Sequence, residues 1–419
     1  MNSELSVLVT TSIVLTIVTV ILYIKRSKFK LAAYAYSLYT FSSYMSITYY
    51  FQPLAKLNGN ITWPPMLYWI VIFAITLIPL YWFDKSNITG FKYDIKTLDK
   101  IALFGFIVSI WPFFEQLLMI PSLLGGFGSD LGEIMVDLHD EGNIENMTFV
   151  GRNLLRINIA IYDLSFIILL IQFIENKKSQ KTLFFILIII LTRNLTGLIS
   201  GHRSAAIEVV MKLILIVLIA SPLIKKEQQK VLKKYVVIVF SFIGILFLII
   251  TLGRQMQYST AHGDDFTLFY FLSWYAGEGL VNFNQYLTLM KETMGGEYTS
   301  SIFLKILGQN PHIIDREYLY GHMTYFQGIP QNIFYTFIGN FVMDYGFKWA
   351  ALVLILLSLL FRNAIIQKTK IMPISNLFLL IFYSSIIIQG VTSFCYNGEH
   401  GKFIIWSLFI YIYLRIKKM

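Results

Sequence analysis

Runs of about 17–25 predominantly apolar residues recur along this chain, and that is the length an α-helix needs to cross a bilayer. No feature constrains the fold more. In hydrocarbon every backbone N–H and C=O must find its partner inside the chain, which leaves helices or a closed barrel. The strand-length alternation of a barrel is missing. Helices are therefore expected near 5–24, 31–51, 64–83, 101–120, 154–174, 183–199, 204–224, 236–253, 346–361, 372–391 and 402–414, with a horizontal or re-entrant piece inside 266–291. With 56% hydrophobic and only 14% charged residues, the composition excludes a soluble globule. The expectation is an all-α polytopic integral membrane protein of about 11 transmembrane helices. Leu5–Ile24 lacks a basic leader and a small-residue cleavage site, so it reads as the first retained helix, not a signal peptide.

Lysine and arginine set the expected orientation. The connections KRSKFK (25–30), DKSNITGFKYDIKTLDK (84–100), ENKKSQK (175–181), KKEQQKVLKK (225–234), RNAIIQKTK (362–370) and the tail RIKKM together hold 22 of the 34 Lys and Arg. Basic loops stay in the cytoplasm. That rule puts the N-terminus outside, the C-terminus in the cytoplasm and residues 254–345 in one large extracytoplasmic loop. The organisation expected is helices 1–8 over 1–253, the loop over 254–345 and helices 9–11 over 346–419, as a single membrane domain. The net charge of +10 then reflects topology and contact with anionic membrane lipids, and no nucleic-acid partner is expected. The single Cys395 cannot form an intrachain disulfide.

The outward connections carry the candidate chemistry. All six histidines (His139, His202, His262, His312, His322, His400) fall in them, and histidine is the side chain suited to proton transfer near neutral pH. In the short turn SGHRSAAIE (200–208), Arg203 stands at the entrance of a helix, where free N–H groups and the dipole favour an anion. The plain alternative is an interfacial arginine that snorkels to lipid phosphate. In LGRQMQYSTAHGDD (252–265), Arg254 leaves its helix at a similar depth, followed by Tyr258, His262, Asp264 and Asp265. Two guanidiniums at one level can clamp a diphosphate bidentately, which lysine does less well. The adjacent aspartates resemble a magnesium ligand pair, but carboxylates in a Gly-flanked turn are more often solvated, and no metal or cofactor is expected. Farther on, His322 and Asp344 are candidates for a base or an orienting group, while most neighbouring aromatics read as an interfacial belt. Glu115, Asp163, Arg193, Glu208 and Lys212 lie within spans, where charge is costly and faces the bundle interior. Glu208 and Lys212, spaced i, i+4, can neutralise each other.

Two stretches carry a resemblance. SGHRSAA (200–206) is similar to the small-residue-plus-Arg turn that precedes a helix in the bacterial O-antigen and capsular repeat-unit polymerases (Wzy-type) and the related O-antigen ligases. PQNIFYTFIGNFVMDYGFKWAAL (330–352) resembles the segment with which their large loop ends and enters the next helix through an acidic residue and a glycine. The ligases commonly begin that segment with His-Asn. Here Gln331-Asn332 stands there and the spacing to Gly346 is longer, which argues for polymerase over ligase and leaves the catalytic histidine unassigned.

The resemblance implies a GT-C-like membrane glycosyltransferase in the bacterial cytoplasmic (inner) membrane. Its substrates would be undecaprenyl-diphosphate-linked oligosaccharides, with a possible chain-length regulator protein as partner. Arg203 and Arg254, with Arg316 in reserve, would stabilise the leaving diphosphate. His322, His262 or Asp264 would serve as base, and His202, Tyr258 and Asp344 stand beside them as further candidates. An O-antigen ligase, a polysaccharide flippase or other transporter, and a different membrane transferase such as an acyltransferase remain open alternatives.

Overall fold

The computed structural model describes residues 3–25, 30–52, 55, 60–125, 147–175, 179–199, 204–230, 268–309, 335–366, 370–396 and 401–419, with isolated positions between 231 and 244. It is mostly helical (81%), as an α-helical membrane protein should be. Among the described residues five helices are long and apolar enough to cross a membrane: Ser3–Ile24, Trp63–Lys85, Ile95–Met119, Phe149–Glu175 and Thr336–Ile365. The expected span at 236–253 lies, apart from isolated positions, outside the described residues. Two groups of residues form separate compact units. Unit 1 takes Met1–Asn87, Phe269–Lys370 and Phe382–Ile410; unit 2 takes Ile88–Leu268, Ile371–Ile381 and Tyr411–Met419.

In unit 1, α1 (Ser3–Ile24) and α2 (Lys30–Tyr50) come first. The hydroxyls of α1 are satisfied within the helix: Thr11 donates to Val7 O at 2.8 Å and Ser12 to Leu8 O at 3.0 Å. Polar side chains can therefore sit in an apolar helix without stranding a donor. The single helix expected over 64–83 is divided into α3 (Trp63–Thr76) and α4 (Ile78–Lys85), with Leu77 between them. Pro79 explains the break, since its ring removes an amide hydrogen and collides with the carbonyl one turn back. At the end of α4 the Asp84 carboxylate accepts the backbone N–H groups of Leu31 (3.0 Å) and Ala32 (3.1 Å). These are the unsatisfied donors of the α2 N-terminus, where negative charge is favoured.

Unit 2 contains β1 (Gly90–Lys92), α5 (Ile95–Gly125), α6 (Phe149–Glu175), α7 (Gln180–Ile199) and α8 (Ser204–Ala220). Asp94 begins α5: Thr97 Oγ1 donates to it at 2.6 Å and Lys96 N at 3.2 Å. Apolar helices in this unit are tied by single polar side chains, as is common where lipid removes the hydrophobic drive between helices. Asn158 on α6 donates to Ser109 Oγ on α5 at 2.6 Å and to Ile189 O on α7 at 3.1 Å. Gln116 donates to Thr196 Oγ1 at 2.7 Å.

Of the charged residues within the expected spans, Asp163 and Arg193 meet the pair Glu208 and Lys212 in unit 2. Lys212 bonds both Asp163 and Glu208, the latter at 2.5 Å, and Arg193 stands 3.8 Å from Glu208. Its ammonium lies 4.6 Å from the Tyr162 ring centroid. The four charges sum to zero, which suits a low-dielectric interior.

The remaining elements are α9 (Leu268–Tyr286) and the short α10 (Ser301–Ile306), both inside the expected outward interval, then α11 (Thr336–Ile365). After these come β2 (Ile371–Pro373), α12 (Ile374–Gln389) and α13 (Lys402–Ile416). The strands were not anticipated. β2 pairs with β1 in parallel, Phe91 opposite Met372. At three residues each, they are too short to leave an alternating pattern in the sequence.

Candidate active site at the junction of the long interval and the membrane helices

Of the residues assigned to catalysis or diphosphate binding from the sequence, Asp344 is described. His322, His262, Asp264, Arg203, Arg254, Arg316, His202 and Tyr258 lie outside the described residues. Asp344 is 1% exposed. Its carboxylate accepts Tyr298 N at 3.0 Å, Thr299 N at 2.5 Å and Thr299 Oγ1 at 2.6 Å. Three donors occupy both oxygens and hold the carboxylate in place against Tyr298 and Thr299. Met294 N donates to Met343 O at 2.9 Å, and Ser300 shares a hydrogen bond with Tyr345. Residues 294–300 are thereby laced onto α11.

That lacing ends at a kink. Gly346 has φ 70° and ψ 167°, a backbone state that L side chains rarely adopt. The resemblance put the loop-to-helix boundary here, and an expected span began at 346. Instead a helical segment already runs from Thr336 to Tyr345, buried from Thr336 to Asp344, before the apolar part continues past the kink. At the start of this segment Thr336 has φ 58°. A left-handed β-branched residue stores about 1–3 kcal/mol of strain, and such residues collect at functional sites. Neighbouring groups hold it there. Its N–H donates to Thr392 O at 3.0 Å, and Trp69 Nε1 donates to its hydroxyl at 3.3 Å.

The helix α9 passes beside this corner. Its sequence LFYFLSWYAGEGLVNFNQY places an acid between two glycines, and both glycines have a packing reason. A Cβ on Gly277 would overlap the Met45 carbonyl of α2, and one on Gly279 would stand 2.9 Å from Val391 O and 3.3 Å from Thr336 N. The close approach to α2 is fixed by Ser42, which donates to Ala276 O at 2.5 Å, and by Ser46, which donates to Gly277 O at 2.7 Å. Small residues at a helix contact let backbones come this near. Glu278 is held between them, 1% exposed. Trp274 Nε1 donates to it at 2.8 Å and the Tyr49 hydroxyl at 3.5 Å.

More buried polar groups follow along α9: Asn282, Asn284 and Gln285. Asn284 is structural. It accepts Thr62 N at 2.8 Å and donates to Thr62 O at 2.7 Å, fixing the entrance of α3. Asn282 accepts from Gln285 at 3.3 Å, and both fall on the same helical stripe as Glu278 by their i+4 and i+7 spacing. Tyr335, directly before the strained Thr336, is 3% exposed, and among the described residues its hydroxyl has no hydrogen-bond partner. An unsatisfied buried hydroxyl costs about 1–3 kcal/mol. Burial first, then neighbouring Tyr286, Glu278 and Tyr298, hold its phenol well above the ordinary range, so it stays protonated.

Glu278 escaped the sequence analysis. The signal was present as Gly-Glu-Gly inside an otherwise apolar and aromatic run, in the stretch where a re-entrant piece was expected. What the arrangement offers chemically is a carboxylate, a phenol, an indole N–H and two amides in an apolar setting, the mixture that fixes small polar ligands in a mostly apolar site. Among the described residues no group of three or more His, Cys, Asp or Glu is placed to hold a metal ion. Comparison with protein-family models, curated proteins and solved structures gives no match to this chain.

Proposed function

We propose that this chain is a membrane glycosyltransferase that joins undecaprenyl-diphosphate-linked oligosaccharide repeat units into a polysaccharide at the outer face of the bacterial cytoplasmic membrane. The observation that carries the reading is α9. A helix from the one long non-spanning interval is built into an apolar unit with Glu278, Asn282, Asn284 and Gln285 buried on it. A sugar-binding site at the edge of a membrane needs polar groups of this kind in apolar surroundings. The parallel pairing of β1 with β2 adds support for the orientation, because it joins the lysine-rich connection 84–100 to the residues directly after the lysine-rich connection 362–370, as a shared cytoplasmic side requires.

In the reaction, an acceptor hydroxyl attacks the anomeric carbon of the lipid-linked sugar and the lipid diphosphate departs. Negative charge grows on the leaving group as the bond breaks. Preorganised guanidiniums stabilise it in a site shielded from water. Arg203 and Arg254 are assigned that role, with Arg316 as a further contact, and His322, His262 and Asp264 are assigned to proton transfer at the reacting sugars.

The test is reconstitution of the purified protein in liposomes with lipid-linked repeat units. A ladder of products formed without nucleotide supports the reading. Arg203→Ala and Arg254→Ala should each abolish chain growth, with Lys a poor substitute at both positions because it cannot bind bidentately. Full-length polymer from both alanine variants removes the diphosphate clamp. One observation favours a second reading, a transporter of lipid-linked sugars: the neutral network of Asp163, Arg193, Glu208 and Lys212 is of the kind that lines ion-coupled pathways. Movement of the lipid-linked unit across the bilayer with no lengthening would decide for it. Transfer of one finished chain to a separate acceptor would decide for a ligase.

A further inference from the structure

We infer that Trp82, Lys85 and Arg362 form a binding site for the phosphodiester headgroup of an anionic phospholipid. This site belongs to unit 1 alone and does not depend on the transferase reading. Trp82 and Lys85 lie in the last turn of α4, and Arg362 lies in the last turn of α11. These are the ends of two helices long and apolar enough to cross a membrane, Trp63–Lys85 and Thr336–Ile365. The two ends meet at Trp82, so both helices leave the hydrocarbon side by side. In the orientation proposed above this is the cytoplasmic edge.

At that edge two cations converge on one ring. The Arg362 guanidinium carbon stands 4.5 Å from the Trp82 ring centroid, and Lys85 Nζ stands 5.4 Å from it. Attraction to the indole face accounts for each contact singly. It does not account for bringing two like charges to the same ring, where they repel each other. The acid nearest in sequence, Asp84, accepts the N–H groups of Leu31 and Ala32 at the start of α2. The buried Nε of Arg362 has no hydrogen-bond partner among the described residues. Helix C-termini favour cations and explain why both are tolerated here, yet among the described residues no carbonyl accepts that Nε hydrogen. A buried donor of this kind calls for an acceptor from elsewhere.

Position identifies the acceptor. Trp82 is 41% exposed, and tryptophan settles at the level of the headgroups. Lys85 is exposed beside it. At this depth the abundant anion is the phosphate of acidic lipids. Its two unesterified oxygens match the guanidinium fork, and an ammonium adds a compact second charge. Directly before Arg362, α11 exposes Leu356, Leu359 and Leu360, an apolar face along which acyl chains lie. A free phosphate makes no use of that face.

The experiment titrates the purified full-length protein in a neutral detergent with phosphatidylglycerol or phosphatidylcholine. Native mass spectrometry counts bound lipid and gives its affinity, and the thermal midpoint is followed in parallel. Both ends of every helix are open in detergent, so the outcome does not depend on orientation. Wild type should bind phosphatidylglycerol more tightly than phosphatidylcholine and gain stability from it. Arg362→Gln and Lys85→Gln should each weaken phosphatidylglycerol binding about fivefold, the contribution of one basic residue at an anionic headgroup. Arg362→Lys should restore only part of the loss, because the fork is gone. Lys348→Gln removes an exposed cation about 20 Å away along α11. It should leave the affinity unchanged, since charge is screened over about 10 Å. Equal affinity in Arg362→Gln and wild type overturns the site. An equal loss in Lys348→Gln also overturns it, by showing diffuse attraction only. A midpoint shift reproduced by inorganic phosphate alone overturns the lipid assignment. If Arg362→Gln fails to fold, Lys85→Gln decides, and unchanged binding in that variant overturns the site.

Discussion

Replacing Lys212 by methionine isolates the energetics of the ionic network in unit 2. The ammonium is 5% exposed and bonds Asp163 and Glu208, whose side chains are 12% and 16% exposed. Methionine keeps much of the stem volume but leaves two carboxylates in a low-dielectric interior. Glu208 retains Arg193, at 3.8 Å, whereas Asp163 loses its ammonium. Breaking a buried pair from one side costs about 3–5 kcal/mol, because the surviving charge has been stripped of water and of its partner. Asp163→Leu alone leaves Lys212 on Glu208 and should cost about 2 kcal/mol, the range of a lost hydrogen bond to a charged group. The double variant Asp163→Leu/Lys212→Met leaves a neutral pair, Arg193 with Glu208. It should be more stable than Lys212→Met by about 2 kcal/mol; with Asp163→Leu alone costing about 2 kcal/mol, the coupling is about 4 kcal/mol, well above the roughly 0.5 kcal/mol that separates interacting from independent sites. Equilibrium unfolding in mixed micelles with a rising mole fraction of SDS measures all four states. Singles that add to within about 0.5 kcal/mol, or a Lys212→Met variant within about 1 kcal/mol of wild type, would refute the argument that desolvation dominates here.

Other perturbations test other links. Gly277→Ala forces a methyl group into the Met45 carbonyl and should destabilise unit 1 by about 1–3 kcal/mol, seen as a lower thermal midpoint; an unchanged midpoint would mean that α2 and α9 can part cheaply. Asp344→Asn puts an amide NH₂ where both carboxylate oxygens now accept N–H or O–H groups, at a cost of about 2 kcal/mol. Limited proteolysis should then cut more readily near Tyr298, and equal cutting rates would contradict the lacing role. At the start of α5, the Thr97 hydroxyl bonded to Asp94 holds its carboxyl below the usual range. A lowered folded-state pKa means the stabilisation is complete above the ordinary carboxylate value and fades only as pH falls through the depressed one. Amide exchange at Lys96 and Thr97, normalised for its intrinsic pH dependence, should stay protected at mildly acid pH and loosen only below it. Loss of protection already at neutral pH would contradict the assignment.

Some of this architecture was legible in the chain itself. Bilayer thickness sets a length that apolar runs either meet or miss, so Ser3–Ile24, Trp63–Lys85 and Phe149–Glu175 could be placed within a few residues. The break before Pro79 in the helix expected over 64–83 and the kink at Gly346 have local backbone causes, yet both emerged only in the structure. The i, i+4 relation of Glu208 and Lys212 was readable in the sequence, since helical periodicity requires only neighbours. Asp163 joins them from 49 positions away, and no local rule names it. Which face of α6 turns toward α8 depends on the rotation of each helix about its own axis, which side-chain packing decides. The same holds for Glu278. Its apolar neighbours announced a helix and its glycines a close approach, but the partners at that approach come from α2, from Tyr335–Thr336 and from the turn after α12. Length and charge pattern, being properties of the chain in one dimension, determined that this protein is helical and built for a membrane. Only the tertiary structure decided which polar groups share an interior, because burial and hydrogen bonding exist only once distant helices have met.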